Sequence, residues 1–172
     1  TQVNHDVNRV LVHRALALLG PRPGERVADM FCGIGNFSLP IARSGAHVTV
    51  IEGSASLVKR AAENAAYNGL SDITQYRSMD LFKIDADSFA SLGRFERMLI
   101  DPPRDGAAEL VKALAAAPPR RIVYVSCNAA TLARDASVLV HEQGYVLRHV
   151  GVCKWFPHTA PGEAIRWCEN AP

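Results

Sequence analysis

The strongest constraint on how this chain folds is an alternation. Short runs rich in β-branched and aromatic residues recur, and each is followed by a segment with apolar residues at helical spacing. Val27 to Phe31, Val48 to Glu52, Ile73 to Arg77, Arg97 to Ile100 and Arg121 to Val125 read as strands. Asn36 to Arg43, Ser54 to Asn68, Ala107 to Ala116 and Thr131 to Glu142 read as the intervening helices, and Gly69 closes the second of them. Ahead of all these, Val7, Val10, Leu11, Ala15 and Leu18 mark an amphipathic first helix that Gly20-Pro21-Arg22-Pro23-Gly24 terminates. The polar stretch from Leu81 to Leu92 has no defined element, and Tyr145 to Val152 with Ala164 to Cys168 read as closing strands that pair with each other. Strand and helix alternating at this spacing predict an α/β fold, a doubly wound and mostly parallel sheet with a closing antiparallel hairpin.

Length and composition narrow what such a sheet can serve. The chain has 172 residues, 48% of them hydrophobic, enough for one domain with a full core. No apolar run is long enough to cross a bilayer, and the amino end lacks a secretory pattern, so the expectation is a soluble, cytoplasmic protein. The four cysteines, Cys32, Cys127, Cys153 and Cys168, include no CxxC pair, which speaks against a zinc knuckle or clustered metal site. A formal charge of +2 is well short of a polybasic nucleic-acid footprint and leaves an RNA partner open. Internal repeats and low-complexity linkers are absent from the sequence.

Several clusters fall where such sheets bind ligands, beyond the carboxyl ends of the strands. Asp29-Met30-Phe31-Cys32-Gly33-Ile34-Gly35-Asn36-Phe37 places an acid at the end of the first strand and Gly33-x-Gly35 in the turn after it. Glycines there let a ligand approach backbone N–H groups, but Ser38 replaces the third glycine of a dinucleotide fingerprint and argues against NAD. Glu52 ends the second strand, where it is placed to accept from ribose hydroxyls, and Asp80 follows the third strand, placed to accept from an adenine amino group. Each alone is as readily a solvated loop acid; with Asp29 and the glycines they point to a bound adenosine. Asp101-Pro102-Pro103-Arg104 follows the fourth strand, its prolines holding the acid at the sheet edge. Cys127 follows the fifth strand, before a helix whose first turn starts near Asn128, a setting that favours thiolate. Phe156 to Glu163 forms a turn-rich loop offering His158 and Glu163.

In this order, Gln2-Val3-Asn4, DMFCGIGNF, Glu52, LIDPPRDGA, IVYVSCNAATLARD and FPHT with a glutamate four residues after the threonine resemble the RNA (uracil-C5)-methyltransferases, most closely those acting on 23S ribosomal RNA. The resemblance covers nearly the whole chain, and its cysteine segment is the most specific part. It implies a Rossmann-like class I fold dependent on S-adenosyl-L-methionine (SAM), with RNA as partner, 5-methyluridine as product and no metal in this segment. It assigns Cys127 as the nucleophile that adds to uracil C6 and Glu163 as the base that removes the C5 proton. Around SAM it places Gln2, Phe31, Asn36, Glu52, Asp80 and Asp101, which join Asp29, Gly33 and Gly35 from the sheet-edge reading. A further expectation is that Asp101 or a neighbour accepts the uracil N3–H, disfavouring cytosine. The target uridine is expected single-stranded or flipped, with Trp155 or Phe156 available to stack and Arg104, Arg134 and Lys154 as phosphate contacts.

The chain departs from that pattern in places. Relatives carry a separate amino-terminal RNA-binding domain, so residues 1–172 are expected to be a catalytic domain lacking it. Ala129 replaces a proline after Ser-Cys-Asn, and Pro161-Gly162 replaces a histidine and an aliphatic residue before Glu163, which bears on how that base is aimed. The competing readings are a transfer-RNA uracil-C5 enzyme, an amino-methyltransferase and a non-catalytic SAM- or RNA-binding module. Arg104 in place of an aromatic after Asp-Pro-Pro speaks against the amino-methyltransferase.

Overall fold

The computed structural model describes residues 2–153 and 163–170. Its elements are α1 (Gln2–Leu19), β1 (Arg26–Met30), α2 (Ser38–Arg43), β2 (His47–Glu52), α3 (Ala55–Tyr67), β3 (Thr74–Ser78), α4 (Ala86–Ala90), β4 (Arg97–Ile100), α5 (Ala108–Ala113), β5 (Arg121–Ser126), α6 (Ala129–Ser137), β6 (Tyr145–Cys153) and β7 (Glu163–Asn170). The seven strands form one sheet in the order β3-β2-β1-β4-β5-β7-β6. The first five are parallel, and β7 runs antiparallel between β5 and β6.

Side chains of β1, β4 and β5 are buried on both faces, which is why their interiors are mostly apolar rather than alternating, Asp29 apart. One face presents Ala28, Met30, Met98, Ile100, Ile122 and Tyr124 to α4, α5 and α6. The other presents Val27, Val48, Val50, Leu99, Val123 and Val125 to α1, α2 and α3. Asp29 shares the parity of Val27 and so points into the second layer, where it is fully buried.

The amino-terminal edge of the sheet is closed by two arginines. Arg97 at the head of β4 donates to the Leu19 carbonyl at 2.7 Å and to Glu25 at 2.6 Å. Arg121 at the head of β5 donates to the Leu18 carbonyl at 2.9 Å and pairs with Glu169. These bonds satisfy carbonyls that the last turn of α1 leaves without helical partners and place cations at its negative end.

Several boundaries differ from the sequence expectation. β1 stops at Met30 because Phe31 has φ 62°, a left-handed conformation that no strand tolerates. The turn that follows delays α2 to Ser38. The stretch without an expected element contains α4, capped by Asp85, whose carboxylate accepts from the Ser88 amide at 2.8 Å. α5 ends at Ala113 and tightens into a 3₁₀ turn over Leu114–Ala116. α6 starts at Ala129, earlier than Thr131, because Asn128 caps it, and Val138–Glu142 widens into a π turn. No helix among the described residues is long and apolar enough to cross a membrane.

Candidate active site

Parallel register brings four strand ends to one edge. Met30 lies beside Ile51 and Ile100, and Ile100 beside Tyr124. The residues that leave these strands, Phe31 to Asn36, Glu52, Asp101 and Cys127, therefore line a single edge of the sheet.

The turn after β1 is fastened to β2. The amides of Phe31 and Cys32 both donate to the Ile51 carbonyl, at 3.0 and 3.4 Å. Glu52 takes the Gly33 amide on Oε2 at 3.0 Å and the Ser54 amide on Oε1 at 3.2 Å, so one carboxylate bridges the first two strand-to-helix turns. Gly35 has φ 94°, and a Cβ there would stand 3.3 Å from the Ser38 hydroxyl. Glycine is favoured at that point by its conformation, and a side chain there would also press on Ser38.

Asp29 lies behind this turn. Both carboxylate oxygens are buried, and neither has a hydrogen-bond partner; the Ser38 hydroxyl is in the same condition. Burial pushes the Asp29 pKa up to about 7, the nearby Ser38 hydroxyl pulls it partly back, and the charge of Glu52 adds to the rise. Ser38 is close enough to act on the carboxyl group, yet the two do not meet hydrogen-bond geometry. A buried acid in this state is suited to meet a cation.

Asp80 is exposed at the same edge, with Oδ1 accepting the Phe82 amide at 3.0 Å. Phe82 is 47% exposed and meets Phe31 edge to face, centroids 5.6 Å apart. Sequence reasoning missed Phe82. The signal was available in Asp80-Leu81-Phe82, where one apolar residue is buried and the next faces out.

Cys127 is half-buried and free, one residue past β5. Ser126 and Asn128 shape its turn: the Ser126 hydroxyl accepts from the Asn128 amide at 3.0 Å, and the Asn128 side chain accepts from the Ala130 amide at 3.0 Å. Cys32 and Cys168 are buried thiols of another kind. Burial raises both, Cys32 furthest and Cys168 to about 12, so both stay protonated.

The β5–β7 ladder pairs Ser126 with Ala164. Glu163, one step further along β7, thus sits at the register position beside Cys127. Gln2 opens α1. The side chains of Gln2 and Glu163, and all of Lys154, Trp155, Phe156, His158 and Pro161-Gly162, lie outside the described residues. Asn36 is exposed at the end of the glycine turn and borders a groove of about 750 Å³ between α1 and α2.

Asp101 is half-buried at the head of a loop whose Pro102 is buried, and its amide donates to the Met30 carbonyl at 3.4 Å. Arg104 is exposed, and its carbonyl accepts from Asn128 Nδ2 at 3.0 Å and Thr131 Oγ1 at 3.1 Å. Arg134 is engaged within the protein, donating from Nε to Asp135 at 2.9 Å and from a terminal nitrogen to the Asp105 carbonyl at 2.9 Å, which works against its expected role as a phosphate contact. Among the described residues no cluster of His, Cys, Asp and Glu is arranged to hold a metal.

The family described as tRNA (Uracil-5-)-methyltransferase matches residues 1–164. The chain is 59% identical over 171 residues to the 23S rRNA (uracil(1939)-C(5))-methyltransferase RlmD of Chromobacterium violaceum and 61% identical to that of Aromatoleum aromaticum, covering 99% of this chain each time. It spans only 33% and 40% of those two proteins. Among solved structures, the Pyrococcus abyssi tRNA (uracil-54, C5)-methyltransferase in complex with S-adenosyl-L-homocysteine superposes with a TM-score of 0.78 at 28% identity, over 94% of this chain and 38% of that one. TrmN from Thermus thermophilus gives a TM-score of 0.73 at 25% identity, over 94% and 48%. The fold is therefore that of the class I SAM-dependent methyltransferases. With the match running from residue 1 to 164, the chain belongs to the tRNA (Uracil-5-)-methyltransferase family.

Proposed function

We propose that this domain carries the SAM-dependent methylation of uracil C5 in RNA, through a covalent bond between Cys127 and uracil C6. The observation that carries the reading is the shared edge: a half-exposed cysteine after β5 stands in the same row as the glycine turn, Glu52 and Asp101.

The residues at that edge fit SAM. Asp29 is a buried, unpartnered carboxyl group behind the glycine turn, Glu52 is held at the end of β2, and Asp80 lies beside the exposed Phe82 ring. A cationic ligand with a ribose and an adenine matches an acid, a diol acceptor and an aromatic wall in that order. Asn36, Phe31, Asp101 and the first-turn Gln2 complete the set that the family resemblance implies. Bound there, SAM supplies an electrophilic methyl group.

The chemistry left to the protein is activation of the ring, because uracil C5 is a poor nucleophile until something adds at C6. The Cys127 sulfur donates its electron pair to C6, forming a C–S bond and moving the C5–C6 π electrons toward C5 and the C4 oxygen. Once C5 carries the methyl group, Glu163 takes the C5 proton, the C5–C6 double bond re-forms, and the C–S bond breaks to return the thiolate. Asp101, at the mouth of its loop, is the acceptor for uracil N3–H. The base must be unpaired or flipped for C6 to meet a thiol.

Ribosomal RNA is the favoured substrate, since the relatives near 60% identity are named for 23S rRNA, whereas the transfer-RNA enzyme from Pyrococcus abyssi stands at 28%. The test uses the full-length protein that contains this domain, SAM, and 23S rRNA fragments or tRNA carrying 5-fluorouracil. Fluorine at C5 blocks proton removal. A conjugate stable to denaturing gels with the ribosomal fragment, absent in Cys127→Ala, supports the proposal; methylation without any conjugate refutes it.

A further inference from the structure

Asp135 is a carboxylate buried to 1% exposure in the second turn of α6, and its bonds are unusual in where they land. Oδ2 accepts from the Tyr124 hydroxyl at 2.5 Å and from the Ala107 amide at 2.8 Å, while Oδ1 accepts from Arg134 Nε at 2.9 Å. Arg134 in turn reaches the Asp105 carbonyl, and Asn128 and Thr131 reach the Arg104 carbonyl. Every one of these bonds that leaves α6 and β5 ends on residues 104–107, in the loop that begins with Asp101. Gly106 is enclosed by the same groups: its φ is 77°, and a Cβ there would stand 2.6 Å from Arg134 and 2.8 Å from Asp135.

Within the loop the Gly106 amide reaches the Pro103 carbonyl at 2.9 Å, but the Arg104 and Asp105 carbonyls and the Ala107 amide take their partners from outside it. Here the partner is the helix that starts two residues after Cys127. We propose that Asp135, with Tyr124 and Arg134, is a positioning residue that locks the Asp101 loop to the cysteine's helix, so that the sulfur and the loop facing it move as one body. The inference rests on the reaction proposed above, in which Cys127 and Asp101 act on the same ring. Asp135 is buried while Arg134 is half exposed, so the ion pair itself adds little stability, and holding a unique arrangement is the role left to it. Tyr124 fits that role: burial foremost, and then its hydrogen bond to Asp135, hold its hydroxyl protonated as a donor.

The test compares full-length wild type, Asp135→Asn, Tyr124→Phe and the pair Asp135→Asn/Arg134→Gln. The asparagine must turn an N–H toward one of three donors, which opens the clamp. The rate of conjugate formation on 5-fluorouracil RNA is expected to fall about 100-fold, the size of effect that a misplacement of about 1 Å produces. SAM affinity, held mainly by Asp29 and Glu52 at the ends of β1 and β2 with Asp101 as one further contact, is expected to fall far less than the rate. Tyr124→Phe removes one donor and slows conjugation about tenfold, and this variant decides the matter if Asp135→Asn does not fold. Replacing Arg134 in the asparagine background removes the opposed donor and restores part of the rate. Hydrogen exchange at the Ala107 amide, which needs no RNA, is expected to speed up in both single variants. Conjugation at wild-type rate in Asp135→Asn and Tyr124→Phe, or a loss of rate that only tracks lost SAM binding and melting temperature, overturns the clamp. A wild type that forms no conjugate overturns instead the reaction on which it rests, while the exchange result still judges the clamp itself.

Discussion

At Asp29 a carboxyl group without a hydrogen-bond partner is held inside the protein, and its ionisation has two measurable consequences. Its pKa rises on folding from 3.8 to about 7, so the folded state binds this proton more tightly than the unfolded chain does. The stability tied to that proton is complete below about pH 4, declines as pH rises toward 7 and is gone above it. Asp29→Asn should therefore be more stable than wild type at pH 8, by on the order of a few kcal/mol at most, with the gap closing toward pH 4; urea denaturation at the two values measures it. A cation bound beside Asp29 favours the carboxylate. SAM affinity should then rise by up to about tenfold between pH 6 and pH 8, and the rise should vanish in Asp29→Asn when titration calorimetry is run on both proteins. The acids and glycines of this edge were legible in the sequence because each sits immediately beyond an apolar run. Asp135 was not: in Ala133-Arg134-Asp135 it looks like a solvated helix position, and only Tyr124 and Gly106, brought in by the fold, show that it is buried.

Elements carry the next level of the account. The loop after β4 and the first turns of α6 are joined through Gly106, where a side chain meets both a forbidden φ and two charged groups. Gly106→Ala should cost about 1–3 kcal/mol in chemical denaturation. Gly24→Ala, with φ 80° but nothing within 4 Å, isolates the conformational part of that cost and should fall at the lower end, about 1 kcal/mol. β7 begins with Glu163, the proposed base, at the register position beside the cysteine. Glu163→Gln should still add to C6 and methylate, but release product slowly, so that RNA with ordinary uridine accumulates as a methylated conjugate visible by mass spectrometry. Element type was readable from periodicity, whereas ends were set by single residues: the left-handed Phe31 cut β1 short, and the Asn128 cap brought α6 forward. The four-residue sheet strand β4 was found because all its side chains are buried, and α4 was missed because five residues carry too little periodicity to register.

For the whole molecule, the strand order places chemistry at one edge of the sheet and fastening at the other. Alternation along the chain predicted the parallel doubly wound sheet, but not that β7 would enter between β5 and β6, since β6 and β7 are neighbours in either arrangement. That insertion is what carries Glu163 to the cysteine. At the opposite edge Arg97, 3% exposed, ties β4 to the end of α1 and to Glu25. Arg97→Met should destabilise the domain by about 2–3 kcal/mol, less than a fully buried pair because Glu25 retains some contact with water, and a shift in the urea midpoint measures it. The catalytic edge meets its most direct test in one mapping experiment: digest the conjugate that the full-length protein forms with 5-fluorouracil RNA and locate the modified residue by tandem mass spectrometry. The account predicts a single nucleotide adduct on Cys127; an adduct on Cys32, Cys153 or Cys168, or on a residue other than cysteine, would contradict it.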